Sequence, residues 1–174
     1  MQNNFIKVKY DFFYFYDNIY HACKEVPIFY QKDHPAYNTP ETRKIKFPGQ
    51  RSLLFNEINP LFHVSLISEA SKVFNVDPNN FSEVESSLHL RLDSDDEEDF
   101  IHQDTAHTLL IYLSPTNLNS GTTFYDHEDR EIARVSFVQN TAVFFDGSIR
   151  HKSLRNFGDN IDNGRLTINI FFKH

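Results

Sequence analysis

The chain has no tryptophan, a single cysteine and no long apolar run, and it is short of positive charge. One cysteine, Cys23, excludes an internal disulfide and fits a reducing compartment. No activating neighbours mark it as a catalytic thiol. The opening residues MQNNFIKVKY lack the apolar stretch of a secretory signal, and no run reaches membrane-spanning length. The expectation is a cytoplasmic protein with no membrane partner, in a host cytoplasm if the gene is carried by a phage. Lys and Arg number 17 against 24 Asp and Glu, a net charge of −7. That balance argues against non-specific nucleic-acid binding, which rests on basic patches, although a local basic groove stays open.

What the chain does have is phenylalanine and tyrosine, 18 and 8 among 174 residues. These residues favour pleated, half-buried surfaces, so the composition leans towards sheet. The length suits one domain with a substantial core and is too short for two. No internal repeat or flexible linker divides it. The expectation is a single domain over 1–174, with 1–85 supplying an N-terminal strand and bracing helices and 86–174 a β core.

In the first part, Phe5 to Tyr16 reads as a strand, and Asp17 as the cap of a short helix ending near Glu25, before Pro27. Pro35, Pro40 and Pro48 make Lys32 to Arg51 read as loop. Asn59-Pro60 is a helix start, followed by Phe62, Leu66, Ile67, Ala70, Val73 and Phe74 at helical spacing. From Ser86 the period changes to two. Leu88, Leu90 and Leu92 alternate with Ser87, His89 and Arg91. Further strands are expected over 108–114, 122–126, 131–137, 141–146, 151–155 and 165–172, separated by turn residues such as Asp146-Gly147 and Asn163-Gly164. Short strands with no helix between them imply a mainly β fold, an antiparallel sandwich or jelly roll braced by helices from the N-terminal half.

Chemistry enters at Ile101-His102-Gln103-Asp104. On a strand end, residues i and i+2 face the same way, so one imidazole and one carboxylate can approach a single metal. His151, 47 residues beyond Asp104, can complete a set of two histidines and a carboxylate. Such a set leaves coordination positions open and suits iron(II) oxygenases. Taken alone, H-x-D is a weak signal among nine histidines. In the last strand Arg165, Thr167 and Asn169 share one face, opposite Leu166, Ile168, Ile170 and Phe172. If Arg165 points into a small barrel it needs an anionic partner, because a buried charge is costly. A dicarboxylic acid would supply one, with Thr167 donating alongside. If that face is solvated, Arg165 is an ordinary surface residue.

The order H-x-D, about fifty residues, His, then Arg-x-Thr resembles the 2-oxoglutarate/Fe(II)-dependent oxygenase superfamily. The segments 108–114 and 121–125 are similar to prolyl-hydroxylase-type members. The single glycine Gly121 departs from their common Gly-Gly pair. Tyr14 to Tyr20 and Phe47-Pro-Gly-Gln-Arg-Ser52 resemble small phage and marine bacterial oxygenase-like proteins. The resemblance implies a double-stranded β-helix in which His102, Asp104 and His151 bind Fe(II). It further implies that Arg165 and Thr167 hold the distal carboxylate of 2-oxoglutarate, that Tyr112 helps to hold it, and that no catalytic group is needed beyond the metal centre. The implied activity consumes dioxygen and 2-oxoglutarate, releases succinate and CO2, and hydroxylates a C–H bond of a protein side chain or small molecule. Asp104 favours hydroxylation, since related halogenases lack that carboxylate. The alternative is a non-catalytic, metal-binding jelly-roll module with a binding or structural role.

The remaining polar residues read mostly as structural. His107 fits a satisfied histidine at a strand start, with support of the proposed site as the alternative; His89 and Arg91 fit an exposed strand face, from which either could also touch substrate; Ser148 lacks the context of a nucleophile elbow. The acidic run from Asp93 to Asp99, with Asp95, Asp96, Glu97 and Glu98, reads as a solvated loop. Its place just before His102 also allows it to draw a cationic substrate to the site mouth.

Overall fold

The computed structural model describes residues 5–37, 39, 41–42, 47–95, 99–104 and 106–174. Among the described residues, ten strands form two antiparallel sheets. They are β1 (Ile6–Lys9), β2 (Ile28–Tyr30), β3 (Gln50–Ser52), β4 (Glu83–Arg91), β5 (His107–Tyr112), β6 (Asn117–Tyr125), β7 (Glu131–Phe137), β8 (Thr141–Asp146), β9 (Arg150–Ser153) and β10 (Arg165–Lys173). The larger sheet runs β1-β8-β5-β10-β4-β3-β2, and the smaller runs β7-β6-β9. The architecture is a double-stranded β-helix, or jelly roll, with helices on one outer face.

The period-two pattern sorts the side chains of the larger sheet between two cores. Leu88, Leu90 and Leu92, Leu109 and Ile111, Ala142 and Phe144, and Leu166, Ile168, Ile170 and Phe172 pack towards the helices. The alternate residues Leu110, Tyr112, Val143 and Phe145 meet Phe124 and Phe137 of the smaller sheet. Burying one such aliphatic or aromatic side chain contributes about 1.5–3 kcal/mol, so a one-residue slip in register would cost both cores at once.

Three helices brace the larger sheet: α1 (Tyr16–Lys24), α2 (Phe55–Ile58) and α3 (Pro60–Phe74). Helix α3 starts where Asn59-Pro60 marks it, with the Asn59 carboxamide oxygen accepting from the Phe62 amide at 3.2 Å. Its buried residues are Leu66, Ile67, Ala70 and Phe74.

The first third departs from expectation. The strand expected over Phe5 to Tyr16 stops at Lys9, because Asp11 turns the chain with φ of 51°. Phe12 and Phe13 then leave the sheet, and Phe12 drops into the helix-side core. Asp17 does not cap α1. It sits in the first turn, and Phe15 occupies the cap position without a side-chain bond. The proline-rich stretch is interrupted by two short 3-10 turns and ends in β3, while β2 pairs with β3 at the sheet edge. Pro40 lies outside the described residues. No helix among the described residues is long and apolar enough to cross a membrane.

Candidate functional site

His102 is not in a regular strand. It forms an isolated antiparallel bridge with His151, donating to its carbonyl at 3.0 Å and accepting from its amide at 2.9 Å. The Asp104 amide donates to the Gly147 carbonyl at 2.9 Å, so the whole His102–Asp104 segment is pinned along the Asp146–His151 turn and strand. Asp146 shapes that turn by accepting from the Ser148 amide and hydroxyl at 2.9 and 2.7 Å, which is the part Ser148 plays.

Backbone pairing thus brings three metal-ligating side chains together. The Asp104 carboxylate lies 3.2 Å from His151 Nε2 and 3.9 Å from His102 Nε2. One ligand atom from each residue falls within 4.8 Å of the others. Adjacent positions around a metal with bonds of about 2.1 Å are about 3 Å apart, so the imidazoles close inward on an ion. Both rings are oriented for this. His102 Nδ1 lies 2.9 Å from the Phe100 carbonyl and His151 Nδ1 lies 2.8 Å from the Ile149 carbonyl. A carbonyl only accepts, so each Nδ1 carries a hydrogen, and Nε2 is the atom each ring turns towards Asp104 and offers to a metal on losing its proton. Burial pushes the Asp104 carboxyl up, but hydrogen bonding and charge from His151, the Thr108 hydroxyl and His102 outweigh it. The net pKa lies below the ordinary value, which keeps the carboxylate ionised.

The cluster opens into a cleft of about 240 Å³ between the sheets, whose lining includes Arg51, His89, Arg91, Arg165 and Asn169. Arg165 is 4% exposed, so it is not a surface residue. It donates to the Gly121 carbonyl at 3.3 Å and lies over the rings of Phe137 and Tyr112 at 5.5 and 5.9 Å. Among the described residues it forms no ion pair, and its buried Nε has no acceptor. Gly121, with φ of 148°, is needed there, because a Cβ would lie 2.0 Å from the Val135 carbonyl oxygen.

Tyr112 and Thr167 stand behind the cleft wall. The Tyr112 hydroxyl donates to Thr122 Oγ1 at 2.7 Å, and the Thr167 hydroxyl donates to Asn169 Oδ1 at 2.7 Å. Thr122 and Asn169 line the cleft in their place. His107 packs edge-on among Phe5, Phe81 and Phe144, as a structural histidine.

Two expectations are corrected. His89 and Arg91 do not face solvent, because the second sheet folds over their face and both line the cleft. In the described part of the acidic run, Asp95 and Asp99 are not free charges either. Asp99 lies 2.8 Å from Arg91 Nη1, and Asp95 lies 3.6 Å from Arg91 Nε while accepting from the Leu92 amide. Asp96, Glu97 and Glu98 lie outside the described residues. Sequence reasoning also missed Arg51, whose side chain reaches the cleft from the edge strand β3. The one available signal was the Pro-Gly before Gln50-Arg51, a turn that can bring a strand close to its neighbour.

His89 gives this cleft a pH signature. Burial, and then the charges of Arg51, Arg165 and Arg91, hold its pKa well below the ordinary 6.5, so the folded protein keeps it neutral. As pH falls below 6.5 the unfolded chain takes up a proton that the folded chain refuses, and stability drops by up to about 1.4 kcal/mol per pH unit. Urea midpoints measured on acidification should therefore fall less steeply for His89→Gln than for the parent. Parallel slopes would mean that His89 titrates normally in the fold.

No protein-family model matches the sequence, and no curated protein matches it with significance. Solved structures do match. A Pseudomonas putida prolyl-4-hydroxylase aligns with a TM-score of 0.58 at 13% identity, over 99% of this chain and 94% of that one. A non-heme alpha-ketoglutarate-dependent epimerase from nogalamycin biosynthesis aligns with a TM-score of 0.60 at 9% identity, over 99% and 77%. One is a hydroxylase and the other an epimerase, so the shared architecture does not choose the reaction. The chain has the double-stranded β-helix fold found in the 2-oxoglutarate/Fe(II) oxygenase superfamily.

Proposed function

We propose that the chain is an Fe(II)- and 2-oxoglutarate-dependent dioxygenase that hydroxylates a C–H bond of a protein side chain or small molecule, working in the cytoplasm. One observation carries this reading. A single cleft holds a two-histidine, one-carboxylate cluster together with a buried arginine that has no carboxylate of its own. His102 and His151 would hold iron through Nε2 and Asp104 through its carboxylate, a donor set that suits iron(II) and leaves positions open. Arg165 would take the distal carboxylate of 2-oxoglutarate in a two-point charged contact. Tyr112 would act from behind, its ring flanking the guanidinium and its hydroxyl fixing Thr122, while Thr167 would fix Asn169. When bound, iron with 2-oxoglutarate supplies the activation of dioxygen and the oxidative decarboxylation to succinate and CO2.

The protein's contribution is orientation and exclusion of water. Phe124 and Phe145 pack against the His151 ring at 6.2 and 4.7 Å between centroids and keep that side of the cluster apolar. A structural module in which the two histidines never meet is disfavoured, since their rings lie 4.4 Å apart. A non-catalytic binding module is separated by activity. Protein reconstituted anaerobically with Fe(II) and then given 2-oxoglutarate and air should form succinate. The rate should rise when a screened protein or small-molecule substrate is added. Folded, metal-loaded protein that binds 2-oxoglutarate and never consumes it would be a binding module.

A further inference from the structure

The cleft has a second cationic wall that the histidine cluster and Arg165 leave unused. Strand β3 pairs with β4 so that Arg51 stands opposite His89, which makes the two side chains neighbours on one face. Gly49 permits the approach. Its φ is +71°, and a Cβ there would lie 2.4 Å from the Leu90 carbonyl oxygen and 2.5 Å from Arg91 Cδ. A larger residue would push β3 away from β4 and Arg51 out of the cleft.

Arg51 is held without being neutralised. Its guanidinium sits over the Phe47 ring at 4.3 Å and hydrogen-bonds the Tyr37 hydroxyl. Its buried Nε has no acceptor, and among the described residues it forms no ion pair. His89 has its tautomer set by a relay. The Thr167 hydroxyl donates to Asn169 Oδ1, and Asn169 Nδ2, 3.1 Å away, donates to His89 Nδ1. The neutral ring therefore carries its hydrogen on Nε2, and that atom is buried with no partner. Two neighbouring residues of the cleft lining thus each carry a buried donor with no acceptor. Orphaned donors of this kind are rare in folded proteins unless water or a ligand meets them.

The charge of the cleft has the same sense. Asp99 is taken up by Arg91, and Asp104 belongs to the histidine cluster. The other charged residues of the lining, Arg51, Arg165 and Lys152, are all cationic and form no ion pair among the described residues. We infer that Arg51 and His89 form an anion subsite that holds a carboxylate or phosphate group of the prime substrate, beside the arginine assigned to the co-substrate. The words prime substrate rest on the oxygenase reading, whereas the subsite rests on the two orphaned donors.

The test uses Zn(II)-loaded protein saturated with 2-oxoglutarate and titrated with acetate or with inorganic phosphate, following the ring nitrogens of His89 by ¹⁵N NMR. A saturable shift of His89 Nε2 is expected with one of the two anions, and which one responds separates a carboxylate from a phosphate. R51Q should weaken that binding roughly tenfold or more, as expected for a lost charge-assisted hydrogen bond. R51K keeps the cation and the fold and should weaken it less. Both variants should bind 2-oxoglutarate as the parent does. No saturable shift with either anion overturns the proposal. So does an anion that competes with 2-oxoglutarate, because Arg51 and His89 would then belong to the co-substrate site. If the parent fails to bind 2-oxoglutarate at all, the oxygenase reading falls, and the same titration without it still decides the subsite.

Discussion

Replacing His151 with alanine should abolish stoichiometric Fe(II) or Mn(II) binding and leave a folded protein. The residue is 4% exposed and its Nε2 lies 3.2 Å from Asp104. Its bridge to His102 runs through backbone atoms, so alanine keeps the pairing that holds the segment in place. What disappears is one of three donors. Removing even an outer partner of a ligand typically costs about 10–100-fold in metal affinity, and a direct donor should cost more. Mn(II) titration followed by electron paramagnetic resonance, with circular dichroism to check the fold, measures both halves. Undiminished binding in the variant would remove the three-residue assignment. The His151 ring also packs on Phe145, so some loss of thermal stability from the vacated space is expected as well.

Arg165→Met should weaken 2-oxoglutarate binding by about 1.5–3 kcal/mol, on the order of 10–150-fold, while metal affinity stays near that of the parent. The guanidinium is buried, and burial lowers its pKa from the ordinary arginine value. Among the described residues it meets the Gly121 carbonyl and the faces of Phe137 and Tyr112, with Asp99 acting on it only through charge. A cation held this way is costly until an anion arrives, and replacing such a group with an apolar one of similar length is often neutral or stabilising. The expected pattern is therefore a ligand-free protein at least as heat-stable as the parent but with little stabilisation by 2-oxoglutarate. Calorimetric titration and thermal melts with and without the ligand test it together. Unchanged affinity would place the co-substrate elsewhere, with Arg51 the next residue to examine.

Much of the fold was legible because the strands carry their own pattern. Leu88, Leu90 and Leu92, and Leu166, Ile168 and Ile170, alternate with polar partners, and a half-buried sheet leaves few other places for such residues. Asn59-Pro60 marked its helix for an equally local reason, since the cap and the ring act on the adjacent turn. The first third was less legible. Phe5 to Tyr16 looks like one strand because every aromatic residue there favours sheet, and the reversal at Asp11 with the burial of Phe12 answers to the helix-side core.

By itself the sequence determined the alternation that builds two sheets, the H-x-D pair, the position of His151 after its turn, and the face shared by Arg165, Thr167 and Asn169. Each of these follows from spacing along one strand or one turn. The tertiary structure alone decided which polar faces became interior. Folding the smaller sheet over β4 and β10 turned His89 and Arg91 from an expected surface into cleft wall, and it set the Thr167 hydroxyl on Asn169. Pairing β3 with β4 brought Arg51 opposite His89, 38 residues away in the chain. It also paired Asp95 and Asp99 with Arg91, out of a run that reads as free negative charge. Burial and ion pairing depend on what lies across the gap between sheets, and no local pattern of residues carries that information.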